Sequence, residues 1–145
     1  VISHFNLLAI LLSTLTFIIS GSLLYNPIHP WGRFWAKEAG MLNKEHNMSA
    51  GDMFFTFGGT AVGGLLLSLA LGQVTYWFNK FDHDGWMMTS LQVAFLLWLG
   101  VFAVATFVNA AYASQSKKLI GLHLLNGAIE LLLMGLVIGF FPVTA

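Results

Sequence analysis

Four uninterrupted apolar runs decide what this chain can be. They cover about residues 5–24, 53–78, 86–113 and 119–141. A helix needs about 20 predominantly apolar residues to cross a hydrocarbon core about 30 Å thick, and each run supplies them. Strands of a membrane barrel would instead show segments of alternating polarity about ten residues long. The expected fold is an all-α integral membrane protein, a single domain over residues 1–145 with four transmembrane helices. Charge content agrees: 8% of residues are charged, against roughly 25% in soluble domains. Such a chain has too few charges to cover a surface in water, so lipid is its solvent. The first run lacks a basic leader and ends at Tyr25-Asn26-Pro27 rather than at a small-residue cleavage site. It reads as a retained span.

The connections set the order of the helices. Pro27 and Pro30 end the first run, because proline removes a donor and restricts its predecessor. In the following stretch, Trp31 to Met41, aromatic and charged residues interleave at helical spacing. That pattern predicts a short helix at the membrane surface, anchored by Trp31, Arg33 and Trp35. Ser49 is a candidate N-cap for the second span. The second connection holds Lys80, Asp82, His83 and Asp84, flanked by Trp77, Phe78, Phe81 and Trp86 as an aromatic belt. The third, residues 114–118, is a tight turn with Lys117 and Lys118. Short connections make consecutive helices antiparallel neighbours, so an up-and-down bundle is expected. Arg33, Lys37, Lys44, Lys117 and Lys118 then share one side, against Lys80 alone on the other. The positive-inside rule places the first and third connections in the cytoplasm and both termini outside.

Small residues mark where helices approach closely. Span two carries Thr60, Gly64, Ser68 and Gly72 at intervals of four, with Gly59 and Gly63 beside them; span four adds Gly135 and Gly139. In lipid, packing rather than hydrophobicity drives helix association, and such ladders let backbones meet. They serve either packing inside the bundle or a homo-oligomer interface.

One charge breaks the pattern. Glu130 lies near the middle of span four, where an ionised carboxylate facing lipid costs at least about 2.5–3.5 kcal/mol. Either it is protonated, or it faces the bundle interior with a partner. His123, Asn126 and Gly127 share its helical face, three, four and seven residues away being one side of a helix. Asn109 of span three falls at the depth of His123, and Trp98 and Gly100 approach that of Glu130. Span one offers Ser13, Thr14 and Thr16. Glu130, Asn126, His123 and Asn109 therefore form the candidate polar cluster, either a binding site for a proton, cation or small polar ligand, or a hydrogen-bonded packing element.

Other chemistry finds little footing. No cysteine is present, which removes thiolate sites. His4 and His123 lie at opposite faces and cannot clamp one haem, and no ligand pair has metal-binding spacing. Asp82-His83-Asp84 reads as an ordinary polar loop. There is no phosphate loop, no nucleophile elbow and no basic footprint for nucleic acid. No cofactor and no metal is expected, and lipid is the expected bound molecule.

At Gly21-Ser-Leu-Leu-Tyr25-Asn-Pro27, followed by Trp31-Gly32-Arg33-Phe34-Trp35, the chain resembles the small bacterial inner-membrane proteins grouped as domain of unknown function 1761. Leu96-Leu97-Trp98-Leu99-Gly100 and the ending with Asn126, Gly127 and Gly135 are similar to its later spans, while Arg33 stands where lysine is usual. The resemblance implies four spans and a bacterial cytoplasmic membrane, and it brings no catalytic residues.

The first functional expectation is a membrane protein without catalytic activity, acting through helix contacts as an accessory subunit of a larger complex or as a homo-oligomer. The alternative is a small oligomeric transporter or channel with a protonatable Glu130 in a polar core. A third, an enzyme acting on a lipid or quinone-like substrate at the interface, would use His29 or His46.

Overall fold

A computed structural model describes residues 6–42, 49–81 and 85–143. Its elements are α1 (Leu7–Leu24), α2 (Pro30–Glu38), α3 (Ala50–Phe81), α4 (Trp86–Leu97), a π-helical turn (Trp98–Ala103), α5 (Val104–Tyr112) and α6 (Lys117–Phe140). Four of the resulting helical rods are long and apolar enough to cross a membrane: Leu7–Leu24, Ala50–Phe81, Trp86–Tyr112 and Lys117–Phe140. The protein is an all-α, multi-pass membrane bundle with a short helix between its first two spans.

Helix ends are placed by polar caps. Asn6 Oδ1 accepts from the amides of Leu8 and Ala9 at 3.1 and 3.3 Å. Ser49 Oγ accepts from the Asp52 amide at 3.1 Å and donates to Asp52 Oδ2 at 2.6 Å, a reciprocal cap. It starts α3 at Ala50, before the apolar run begins at Met53. Ser116 Oγ accepts from the Leu119 amide at 3.2 Å and starts α6 at Lys117 in the same way. Caps satisfy amides that the helix itself leaves open, so a helix extends past its apolar stretch wherever a cap is available.

Around the bundle, α1 packs on α3 and α6, and α4 packs on α3 and α6. Neighbours in the sequence are thus neighbours in space, and α6 closes the ring on α1. Asn6 Nδ2 donates to the Pro142 carbonyl at 3.4 Å, and Trp86 Nε1 donates to that of Ile138 at 2.8 Å. These two bonds set the starts of α1 and α4 beside the end of α6. Ile10, Leu71, Val93, Ala94, Leu131, Met134 and Ile138 form the buried core, drawn from all four rods. Most of them lie toward that same end. In α3, no residue before Gly64 is buried. The bundle is tight at one end and loose at the other.

Small residues explain the tight half. A side-chain carbon on Gly64 would fall 2.7 Å from the Phe17 ring, and one on Gly72 would fall 2.9 Å from Ile10. Gly139 is covered by Met87 and Ser90, and Gly135 by Ala94. Ser68 lies between them on α3, donating to Ser13 Oγ and accepting from Thr14 Oγ1, both at 3.2 Å. Gly59 and Gly63 face open space, because they are offset by one residue from the row that meets α1. Ser68→Ala should cost about 0.6–1.7 kcal/mol, the span measured for hydrogen bonds between membrane helices. Detergent unfolding equilibria of the two proteins would check it, a larger loss pointing to a repacked α1–α3 seam.

The third rod is interrupted rather than uniform. Over Trp98–Ala103 its backbone widens into a π turn, which rotates the following residues relative to the preceding ones. Two aromatic rings use that rotation to reach α6: Trp98 Nε1 donates to the Leu124 carbonyl at 2.9 Å, and Phe102 lies flat on Gly127.

Candidate intramembrane binding site

The loose half of the bundle holds a partly open cavity of about 680 Å³ between α1 and the first turns of α3. Phe17, Ile18, Gly21, Ser22 and Tyr25 form one wall, and Thr56, Phe57 and Thr60 form the other. Phe102 and Glu130 lie at the back. Glu130 is 5% exposed, facing inward rather than toward lipid. Gly21 faces it closely: a side-chain carbon there would sit 3.3 Å from Glu130 Oε1.

The corner below the cavity is built by α2. The chain leaves α1, turns through Asn26, whose Oδ1 accepts from the Ile28 amide at 3.0 Å, and enters α2 at Pro30. Proline suits the first helical position, where its missing N–H is not needed. Trp31 Nε1 donates to Asn126 Oδ1 at 2.8 Å, and Asn126 is completely buried. Asn126 lies about 14 Å along α6 from its first residue, at about 1.5 Å per residue. The Trp31 side chain thus reaches into the bundle from α2, whose Pro30, Arg33 and Phe34 stay exposed. Trp35 packs edge-on against Tyr25 at 5.0 Å between centroids, and His123 lies 6.2 Å from Tyr25 and 6.4 Å from Trp35.

Polarity runs in one direction through this corner. Trp31 can only donate, so Asn126 must turn its oxygen to the indole. Its amide nitrogen then points away and, with Trp35 Nε1, finds no well-aligned acceptor among the described side chains. Tyr25 is close enough to feel both Asn126 and Glu130.

A family model described as "Protein of unknown function (DUF1761)" matches residues 8–139. The chain belongs to this family. No curated protein and no solved structure matches it. Four of the residues that carry the resemblance to DUF1761 meet at the corner just described. Gly21 backs onto Glu130, Tyr25 lines the cavity, Gly32 rests on the backbone of Asn26, and Trp31 holds Asn126.

For this DUF1761 member, the structure divides the polar cluster expected from the sequence. Glu130 and Asn126 are buried on one face of α6. His123 is half-buried against aromatic rings, and Asn109 is exposed. Those two instead line a separate, shallow groove with Thr106 and Gln115. Depth was matched, but the π turn changes which face of the third rod meets α6. For the same reason Phe102, rather than Trp98 or Gly100, shares the cavity with Glu130. Ser13 and Thr14 pair with Ser68, and Thr16 bonds back to the Leu12 carbonyl at 2.8 Å, leaving none of them near Glu130. Arg33 is exposed on α2. His29 is exposed at the start of α2, whereas His4, Lys44, His46, Asp82, His83 and Asp84 lie outside the described residues. Among the described residues, no group of three His, Asp or Glu side chains converges as a metal site would require.

Sequence reasoning missed Gly21, Tyr25 and Phe102. Gly21 and Tyr25 had been read as the end of a span, yet their spacing of four residues places them on one helical face, a usable signal. Nothing in the local sequence announces the π turn that brings in Phe102.

Proposed function

We propose that this protein is a small transporter-like binding protein that takes a ligand or proton from the membrane at Glu130. One observation carries the reading: the single mid-span carboxyl lines a partly open cavity between α1 and the first turns of α3. A packing residue would be enclosed on all sides by protein. Glu130 instead meets a space large enough for a small organic molecule. Neutralising a carboxylate there takes a proton or a bound cation, and exchange between the two is the elementary step of a carrier.

A lipid-soluble carbodiimide tests this, because it forms a stable acylurea on a protonated carboxyl it can reach from the membrane. Glu130 should be labelled in intact membranes, Glu130→Gln should not, and peptide mass spectrometry would locate the adduct. Failure to label Glu130 would sink the reading.

The contact reading, an accessory subunit or homo-oligomer, draws on one feature. Gly59 and Gly63 sit on the outer face of α3 with nothing within 4 Å of where a side chain would start. Native mass determination of the gently solubilised protein tests it, and foreign subunits in fixed ratio would favour it. We also take the membrane to be the bacterial cytoplasmic one, with the first and third connections inside. Five basic residues on that side, Arg33, Lys37, Lys44, Lys117 and Lys118, support this orientation.

A further inference from the structure

We propose that the cavity selects lipophilic organic monocations, of the ammonium or phosphonium type. This rests on the reading of Glu130 as a ligand-binding carboxyl and names the class of ligand it takes. Three phenylalanine rings, Phe17, Phe57 and Phe102, line the space in front of Glu130, one from each of three different elements. An aromatic face carries a negative quadrupole and attracts a cation, most strongly where water is excluded. A carboxylate at the back and rings on the sides therefore favour the same ligand charge.

The other polar groups do not oppose it. No basic side chain lines the cavity among the described residues, so an anion would find no positive charge there to offset the carboxyl. Ser22 and Thr60 both spend their hydroxyl protons on backbone carbonyls of their own helices, at 2.7 Å each. Their oxygens thus face the space as acceptors rather than as donors. Tyr25 is the other titratable group on the wall. Its hydroxyl lies within hydrogen-bonding reach of Asn126, which is not among the residues lining the cavity. A bulky cation with spread charge sheds little water and gains the rings.

Size and access agree. The opening lies between α1 and the first turns of α3, where Phe57 is 62% exposed. A molecule dissolved in the membrane reaches it without crossing the tight half of the core. Phe102 separates this cavity from a second one of about 330 Å³ lined by Leu67, Leu97, Val101 and Leu131. That second space also takes in Thr106 and Asn109 and holds no charged group.

The test uses the full chain in proteoliposomes, with tetraphenylphosphonium as probe and tetraphenylborate as the anion of matched shape. Tetraphenylphosphonium should bind saturably and protect Glu130 from the carbodiimide, and tetraphenylborate should do neither. Phe57→Ala should weaken phosphonium binding about tenfold, since one ring of the three is lost from an exposed position that packing does not need. Glu130→Gln should remove saturable binding. Circular dichroism and gel filtration of each variant would confirm that the bundle is intact, and Phe57→Ala carries the test if Glu130→Gln does not fold. Labelling that the phosphonium fails to prevent, or that the borate prevents equally, overturns the cation assignment and leaves the carboxyl site standing. No labelling without any probe overturns the binding site itself, and this assignment with it.

Discussion

Gly32→Ala should cost about 3 kcal/mol of stability and release α2 from the bundle. A side-chain carbon at Gly32 would fall on the carbonyl and amide of Asn26. Those are backbone atoms of a turn already held by the Asn26 side chain and by a 3.3 Å bond from the His29 amide to the Asn26 carbonyl. A side chain in the way can rotate aside, but this turn has no such freedom, which puts the cost at the upper end of the usual overpacking range of about 1–3 kcal/mol. The effect reaches the candidate site because Trp31 precedes Gly32. Moving α2 draws the indole off Asn126 and leaves a buried amide with neither end satisfied, a further penalty of about 1–3 kcal/mol if water does not enter. Unfolding in mixed detergent micelles would measure the loss, and the indole N–H resonance of Trp31 would report the broken bond. A change below about 0.5 kcal/mol, the level of an ordinary surface substitution, would mean that the Asn26 turn is not held against α2.

Gly135→Leu is expected to be at least as damaging, by a different route. Here the neighbour is α4: a carbon on Gly135 would meet the Ala94 methyl at 2.8 Å and the Ser90 carbonyl at 3.2 Å. Ser90 Oγ also donates to the Gly135 carbonyl at 2.9 Å, which fixes the two helices at short range. Leucine must push α4 and α6 apart, and Val93, Met134 and Ile138 lose contact together. Membrane helices gain little from hydrophobicity once inserted, so lost packing is not recovered by burying the new side chain. A loss above about 3 kcal/mol follows. Gly63→Leu is the matched control. It faces open space, and leucine is the better helix former by up to about 1 kcal/mol, so the change should be neutral or slightly stabilising. Equal damage from both would show that glycine content, not the α4–α6 seam, governs stability.

These two glycines show how far local sequence reaches. Gly135 belongs to a small-residue ladder that is visible without a structure, and its role follows once α4 is known to be its neighbour. Gly32 belongs to no ladder. Its need for a bare backbone arises from a turn that folds back on it, and only the path of the chain reveals that. The same division holds within the polar face of α6. His123, Asn126, Gly127 and Glu130 are legible as one face from their spacing, because helical periodicity is a property of one segment. Which of them is sealed, which meets a ring and which meets a cavity depends on other segments.

The sequence by itself determined the class of protein, the number of spans, their order in the bundle and the presence of a carboxyl at mid-depth. All of these follow from terms that act residue by residue: transfer of apolar side chains to lipid, the cost of a charge at mid-depth, and the short reach of the connecting turns. The tertiary structure alone decided that one half of the bundle is tight and the other open. It also decided that Trp31 of α2 reaches Asn126, and that Phe102 rather than Trp98 shares the space with Glu130. Those depend on the rotation of whole helices about their axes, here set by a π turn and by close backbone contacts. A rotation of that kind is fixed by the sum of many weak contacts between distant segments, so no single stretch of sequence records it.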